Sequence, residues 1–311
     1  MSHRVQLTNP KHSLPKQKFR HSSQSFLHGS FDMFFVSDAF LESILLEDIP
    51  YGDATSSLLG IESVRGAVDC YPKADCVVSG VTLAQRLFEK VGLVCERFVE
   101  DGAKVSARQV VLRAAGPAGA IHAVYKTAQN IMEYCSGISS RARAMVEAAR
   151  SVNPTCCVVT TRKHFPGTKT LSLYAAQAGG ALIHRTGLSE SILIFDQHRV
   201  FTEASVMDDL TAIRSRDPER KVCIEAGDPA EAIRFVEAGA DIVQCERFSP
   251  DVLSEFVAKA KALRPQVLIS AAGGVNADNA QAYAAAGADF LVTTWPYFGR
   301  PADIKMRISR T

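Results

Sequence analysis

No CxxC pair occurs among the eight cysteines of this 311-residue chain, and no Cys/His spacing suits a structural zinc site. A zinc ribbon and a disulfide scaffold are thereby excluded. Cys70, Cys76, Cys156, Cys157, Cys223 and Cys245 stand instead in strand-like segments, as small buried hydrophobes of a reduced, cytoplasmic protein. Vicinal Cys156 and Cys157 face opposite ways on a strand and do not pair. No apolar run approaches the roughly 18 residues of a spanning helix, so no membrane segment is expected. Charge of one sign is not in excess: 35 Lys and Arg face 33 Asp and Glu, a net +2. Nothing global points to nucleic acid or to an anionic membrane. A GxGxxG run after a strand is also missing, which removes the usual fingerprint of an open dinucleotide-binding sheet.

What is there begins after a tail poor in acids. Residues 1–32 hold four of the eight His and five Lys or Arg but one acid, Asp32. With frequent Ser, Gln and Pro and no periodicity, they read as a disordered tail or as sequence upstream of a start at Met33. Ser37 then caps a helical pattern, "SDAFLESILLED", which "IPYGD" breaks. Strand material ("GAVDCYPKADCVVSG"), a helix closed by Gly92, a strand into the Asp101-Gly102 turn and the strand "QVVLRAAG" follow. This predicts an N-terminal α+β domain over residues 33–119, with the C-terminal residues 295–311 packing against it.

Residues 120–294 have a different rhythm. A long helical stretch, residues 121–151, precedes short apolar strands that alternate with Ala-rich helices. The candidate strands are Cys157–Thr160, Ile192–Phe195, Val222–Glu225, Ile242–Cys245, Val267–Ser270 and Phe290–Thr293. "EAGADIVQ" (Glu237–Gln244) and "AAGADFLV" (Ala285–Val292) repeat one device 48 residues apart, the span of two βα units. The pattern predicts an α/β fold: an incomplete βα barrel of parallel strands plus the smaller N-terminal α+β sandwich. An open doubly wound sheet is the second choice.

Barrel chemistry sits where strands end. Those positions carry Arg162, Lys163 and His164, then His184-Arg185, then Asp196 and His198, then Glu225, Glu246-Arg247, Gly273-Gly274 and Thr293-Thr294. The first half of the barrel supplies cations and the second supplies carboxylates and glycines. Forked guanidinium donors suit phosphate or carboxylate. Small residues before a helix start let backbone N–H groups hold a phosphate. Glu225 and Glu246 could bind sugar hydroxyls, hold Mg²⁺ indirectly or stabilise a developing positive charge. A Schiff-base aldolase with Lys163 as the amine is a second enzyme reading.

Five stretches resemble, in order, motifs of the quinolinate phosphoribosyltransferase family, also called carboxylating nicotinate-nucleotide pyrophosphorylases. They are "TTRKHFPGTK", "AGGALIHRTGLSESILIFDQH", "CIEAGD", "AGADIVQCERF" and "AAGGVNADN". "LEDIPYGDATSSLL" is similar to the family's opening, and "VTTWPYFGRPADIKMRI" looks like its ModD pyrophosphorylase branch, named for molybdenum-transport operons. The resemblance implies a homodimer with shared active sites, and transfer of phosphoribosyl from 5-phosphoribosyl 1-diphosphate (PRPP), with Mg²⁺, to a heterocyclic acid as pyrophosphate leaves. It implies that Arg162, Lys163, His184 and Arg185 form a cationic wall, with Lys163 also catalytic. Glu225 and Glu246 would lie at the ribose and favour cationic character at C1, and Gly273, Gly274 and Thr294 would lie in the substrate site. Lys126 would stand for an Arg that reaches the neighbouring subunit's site.

Several positions depart from the family. Phe195 replaces a Lys that helps bind the dicarboxylate, His164-Phe165 replace two small residues, Glu246 replaces Asp and Ala272 replaces Ser. Phe195 and Phe165 therefore point to a less cationic acceptor pocket and to weakened quinolinate use. The alternatives are a genuine quinolinate phosphoribosyltransferase of NAD biosynthesis and a non-catalytic oxyanion- or nucleotide-binding protein linked to molybdenum uptake.

Overall fold

A computed structural model describes residues 34–311; the expectation for residues 1–32 lies outside the described residues. The strands are β1 Arg65–Pro72, β2 Cys76–Val77, β3 Val94–Arg97, β4 Lys104–Val105, β5 Leu112–Pro117, β6 Cys157–Thr160, β7 Leu182–Ile183, β8 Ile192–Ile194, β9 Val222–Ala226, β10 Ile242–Glu246, β11 Leu268–Ala272, β12 Phe290–Thr293 and β13 Ile304–Arg310.

Four of them form an antiparallel sheet in the order β13-β1-β5-β3. Alternation along β1 and β5 buries Val68, Cys70, Leu112 and Ala114 against Leu83, Leu87 and Phe88 of the helix Val81–Lys90 and Leu41 of the helix Asp38–Asp48. Ser37 caps that first helix, accepting from the Phe40 amide at 3.2 Å. Strand pairing puts Asp69 opposite Arg113 on β5 and Arg307 on β13. Its carboxylate accepts from Arg113 Nε at 2.6 Å and Arg307 Nη2 at 2.8 Å. The Arg113 hydrogen bond, followed by that of Arg307, holds the Asp69 carboxyl below the usual range. Asp69→Asn is expected to lower stability by about 1–2 kcal/mol, moderated by the exposure of both guanidinium groups. A urea-unfolding midpoint measures it.

The helix Ala118–Arg150 serves both cores. Its first half gives Ile121, Val124 and Ala128 to the N-terminal core, and its second half gives Ala142, Met145 and Ala149 to the barrel core.

The other large sheet is seven-stranded and parallel, in the order β7-β6-β12-β11-β10-β9-β8. β7 and β8 are its two edges, so the barrel is incomplete. On each strand alternate residues turn outward onto the helices: Ile224, Val243, Cys245, Ile269 and Leu291 meet Phe235, Leu253, Phe256 and Tyr283. The residues between them face the lumen. Asp228 and Ser249 cap the helices Pro229–Glu237 and Pro250–Leu263, and each helix begins with Pro. The repeated device behaves as expected: Gly239 and Gly287 hold φ of 95° and 93° just past a helix end.

Several bounds differ from the sequence expectation. β7 was not anticipated, because two residues inside "GGALIHRTGL" carry no periodicity. β8 stops at Ile194, and Phe195 instead precedes the short helix Asp196–Arg199. Glu225 is not the end of its strand, which runs on to Ala226, and Glu246 lies within β10. Among the described residues no helix is long and apolar enough to cross a membrane.

Candidate active site

A cavity of about 590 Å³ opens at the C-terminal ends of the parallel strands. The loop after β6 brings Thr161, Arg162 and Lys163 to it, and β7 hands over His184 and Arg185. The turn after β8 supplies Phe195, β9 Glu225, β10 Gln244 and Glu246, and the β11 turn Gly273, Gly274 and Asn276. Thr293, Thr294, Trp295 and Phe298 also line it, with Leu193, Ala272, Val275 and Val292. Of the residues expected in the site, Arg162, Lys163, His184, Arg185, Phe195, Glu225, Glu246, Gly273, Gly274 and Thr294 all line this one cavity. Lys126 does not. It lies exposed on the helix Ala118–Arg150, where its Nζ donates to Gln129 Oε1 at 2.8 Å. Phe165 does not line the cavity either and is 76% exposed. The expectation of a less cationic acceptor pocket therefore rests on Phe195 alone.

The cationic side is held by short local contacts. Thr161 and Thr294 share a hydrogen bond of 2.9 Å across β6 and β12, and the Lys163 amide donates to Thr161 Oγ1 at 3.2 Å. The Arg185 guanidinium carbon lies 5.6 Å from the centre of the Phe195 ring. His198 stacks on that ring, with centroids 5.7 Å apart at 15°. Burial, then the neighbouring Arg162, push Arg185 below its ordinary value; a guanidinium nonetheless stays charged.

His184 differs from the expectation. Burial, and then the adjacent Arg185, lower its pKa from the ordinary histidine value, so the charged ring is disfavoured there and the permanent cations of the wall are Arg162, Lys163 and Arg185. The lowered value has a sign in stability. Below about pH 6.5 the unfolded chain takes up this proton more readily than the folded one, so stability falls as pH drops through the folded value. His184→Gln should flatten that dependence, read as the difference in urea midpoint between about pH 7.5 and about pH 5 in variant and parent.

The carboxylate side is more buried. Burial raises the Glu225 pKa first, with Glu246 and Asp196 adding to it; the Gln244 amide and Lys163 act the other way. Gln244 Nε2 donates to Glu225 Oε2 at 2.7 Å. Glu246 is followed by Arg247, whose φ of 58° is left-handed and whose Nε lies 3.5 Å from Glu246 Oε1. Gly273 fits against this pair. Its φ is +84°, and a Cβ there would stand 2.6 Å from Glu246 Oε1. At the same turn the Asn276 amide donates to Asn279 Oδ1 at 2.8 Å.

Sequence reasoning missed Thr161, Gln244, Asn276, Trp295 and Phe298. Gln244 left a signal: it is the one polar side chain inside the otherwise apolar run "IVQC". Trp295 and Phe298 left none, because an aromatic after a strand reads equally as core.

Fold and cavity together define an α/β-barrel protein that lines one cavity with a cationic wall and a half-buried carboxylate pair. The chain belongs to the quinolinate phosphoribosyltransferase family. Residues 53–136 match the description "Quinolinate phosphoribosyl transferase, N-terminal domain" and residues 138–307 match "Quinolinate phosphoribosyl transferase, C-terminal domain". A Rhodobacter capsulatus relative called "Putative pyrophosphorylase ModD" is 39% identical over 251 residues, 80% of this chain and 96% of that one. The Homo sapiens "Nicotinate-nucleotide pyrophosphorylase [carboxylating]" is 31% identical over 241 residues, 78% of this chain and 80% of that one. In fold, the chain is similar to the nicotinate-nucleotide pyrophosphorylase of Francisella tularensis, with a TM-score of 0.80 at 23% identity, covering 87% of this chain and 95% of that one.

Proposed function

We propose that this protein is a pentosyltransferase of the ModD pyrophosphorylase type, which transfers phosphoribosyl from PRPP to a heterocyclic acid and releases pyrophosphate. One observation carries the reading: Arg162, Lys163 and Arg185 line the same cavity as Glu225 and Glu246. A polyanionic donor that develops positive charge at one carbon needs both signs within one ligand's length. The cations bind the phosphate and carboxylate oxygens. The turn at Gly273 and Gly274 admits the 5′-phosphate close to backbone. Glu225 and Glu246 favour cationic character at C1 as the bond to pyrophosphate lengthens, and the acceptor ring nitrogen forms the new bond on the opposite side.

Mg²⁺ fits this donor set as a companion of the diphosphate rather than as a caged ion. Among the described residues no group of three or more His, Cys, Asp or Glu could hold a metal, and Mg²⁺ commonly keeps several waters and binds through substrate phosphates. When bound, it neutralises charge on the leaving pyrophosphate.

The acceptor side is aromatic as well as cationic. Phe195, Trp295 and Phe298 line the cavity, and Phe195 stands where a second cation for a dicarboxylate would be needed. The acceptor is therefore a planar acid with one carboxylate to pair, and quinolinate is a poor substrate. Lys126, exposed and outside the cavity, reaches the neighbouring subunit's site in a homodimer. Lys163 is exposed, so it lacks the desolvation by which an apolar pocket activates a Schiff-base amine; its place among the phosphate-binding cations suits ion pairing.

The test is pyrophosphate release from PRPP and Mg²⁺ over a panel of heterocyclic acids, with PRPP binding followed by calorimetry. Acid-dependent release, with quinolinate among the slower substrates, is the expected result. PRPP binding with no release for any acid would favour a binding protein, and quinolinate turnover as fast as that of the best acid would overturn the acceptor assignment.

A further inference from the structure

Three neighbouring lumen positions carry polar side chains at one level of the barrel. Strand pairing aligns Glu225 on β9 with Gln244 on β10, and Gln244 with Ser270 on β11. The layer beneath, Cys223, Ile242 and Leu268, is apolar. Gln244 is 4% exposed and Ser270 is fully buried. Burying an amide and a hydroxyl directly above an apolar layer costs stability unless the groups are paired. Gln244 Nε2 is paired, donating to Glu225 Oε2 at 2.7 Å. Gln244 Oε1 and Ser270 Oγ are both buried with no hydrogen-bond partner among the described residues. Two unpaired polar groups side by side, one attached to a residue that grips Glu225, are not explained by packing.

We propose that Gln244 is a positioning residue for Glu225, and that Ser270 anchors Gln244 in turn. The Ser270 hydroxyl pairs with Gln244 Oε1 by rotation or through one bridging water, which leaves Nε2 as the only end of the amide that can face Glu225. The relay then runs Ser270, Gln244, Glu225 across three parallel strands, so rigid sheet holds it. An amide suits the task better than a cation. It fixes one carboxylate oxygen and favours the ionised form without neutralising it, and the negative charge stays available to the cavity. The other charged groups facing Glu225 do not replace it: Glu246 and Asp196 oppose ionisation, and Lys163, from the loop after β6, acts only through space. Cys223, one layer below, carries no charge, since burial lifts its thiol to about 12.

The role rests on the phosphoribosyl-transfer reading, and the test separates the two. Gln244→Met keeps chain length and volume and removes the donor. The first readout needs no substrate: the carboxyl carbon of Glu225, assigned with Glu225→Gln, is titrated by NMR. Gln244→Met is expected to raise its midpoint, Ser270→Ala to raise it less, and Ser270→Thr, which restores a hydroxyl, to return it to the parent value. The second readout is kinetic: kcat falls at least about tenfold in Gln244→Met, as loss of a hydrogen bond to a charged group implies, while KM for PRPP moves less. An unchanged Glu225 titration in Gln244→Met overturns the proposal even if the enzyme transfers phosphoribosyl. A shifted titration in a protein inert towards PRPP keeps the positioning role and removes the enzyme reading. Should Gln244→Met not fold, the Ser270→Ala and Ser270→Thr pair decides the same way, equal titrations being the negative result.

Discussion

Glu225→Gln is expected to lower PRPP-dependent pyrophosphate release by about 10²–10³-fold while PRPP binding stays within about threefold. The substitution is isosteric and keeps an acceptor oxygen, so it removes charge and little else. Opposite unit charges about 4 Å apart at an effective dielectric of 20 interact by about 4 kcal/mol, which corresponds to roughly 10³ in rate if realised only in the transition state. The ground-state donor is an anion, so losing a carboxylate does not weaken its binding. That asymmetry separates a transferase from an oxyanion binder, in which Glu225→Gln leaves the function intact. The parent should also show an acid limb in kcat. Burial, with Glu246 nearby, raises the Glu225 pKa, so the ionised form and the rate are lost as pH falls through that raised value. In Glu225→Gln this limb should disappear. A pH–rate profile of both proteins, with calorimetric PRPP binding, checks all of this.

Gly273→Ala should cut activity by about 10–100-fold and stability by about 1–2 kcal/mol, the cost of holding a side-chain-bearing residue in the left-handed region. The Cβ added by this substitution would lie 2.5 Å from Arg247 Cγ and 2.6 Å from Glu246 Oε1. The Arg247 side chain is 83% exposed and can swing away. Glu246 cannot move without leaving its place in the cavity. Gly274→Ala is the control. Its φ is +82°, but nothing lies within 4 Å of the added Cβ, so it carries a similar strain without displacing the carboxylate. A thermal or urea melt should find the two variants similarly destabilised, and the PRPP assay should find Gly273→Ala the more impaired. Equal activities would show that Glu246 tolerates displacement.

The barrel was legible because its strands are apolar runs bounded by glycine and its helices end in a repeated device. Gly239 and Gly287, spaced by two βα units, mark the same turn in the structure as in the sequence. Strand ends were less legible. Phe195 reads as a fourth apolar strand residue after "ILI", and only the turn of the chain into Asp196–Arg199 takes it out of the sheet and sets it over Arg185. His164 and Phe165 sit next to the cavity cations in sequence, yet Phe165 is exposed and His164 packs edge-on against Tyr297 at 6.0 Å. A loop can turn adjacent side chains in opposite directions, and one-dimensional spacing does not record which.

The sequence alone determined the alternation of strand and helix, the cationic first half and acidic second half of the barrel, and the motifs that place the chain in its family. All of these depend on residue type and short-range spacing. Only the tertiary structure decided that burial disfavours a charge on His184, that Lys126 and Phe165 stand outside the cavity, and that Gln244 grips Glu225 from the next strand. Each depends on burial or on a partner many residues away. Burial sets the cost of a charge, and parallel pairing brings together residues that a whole helix separates in the chain.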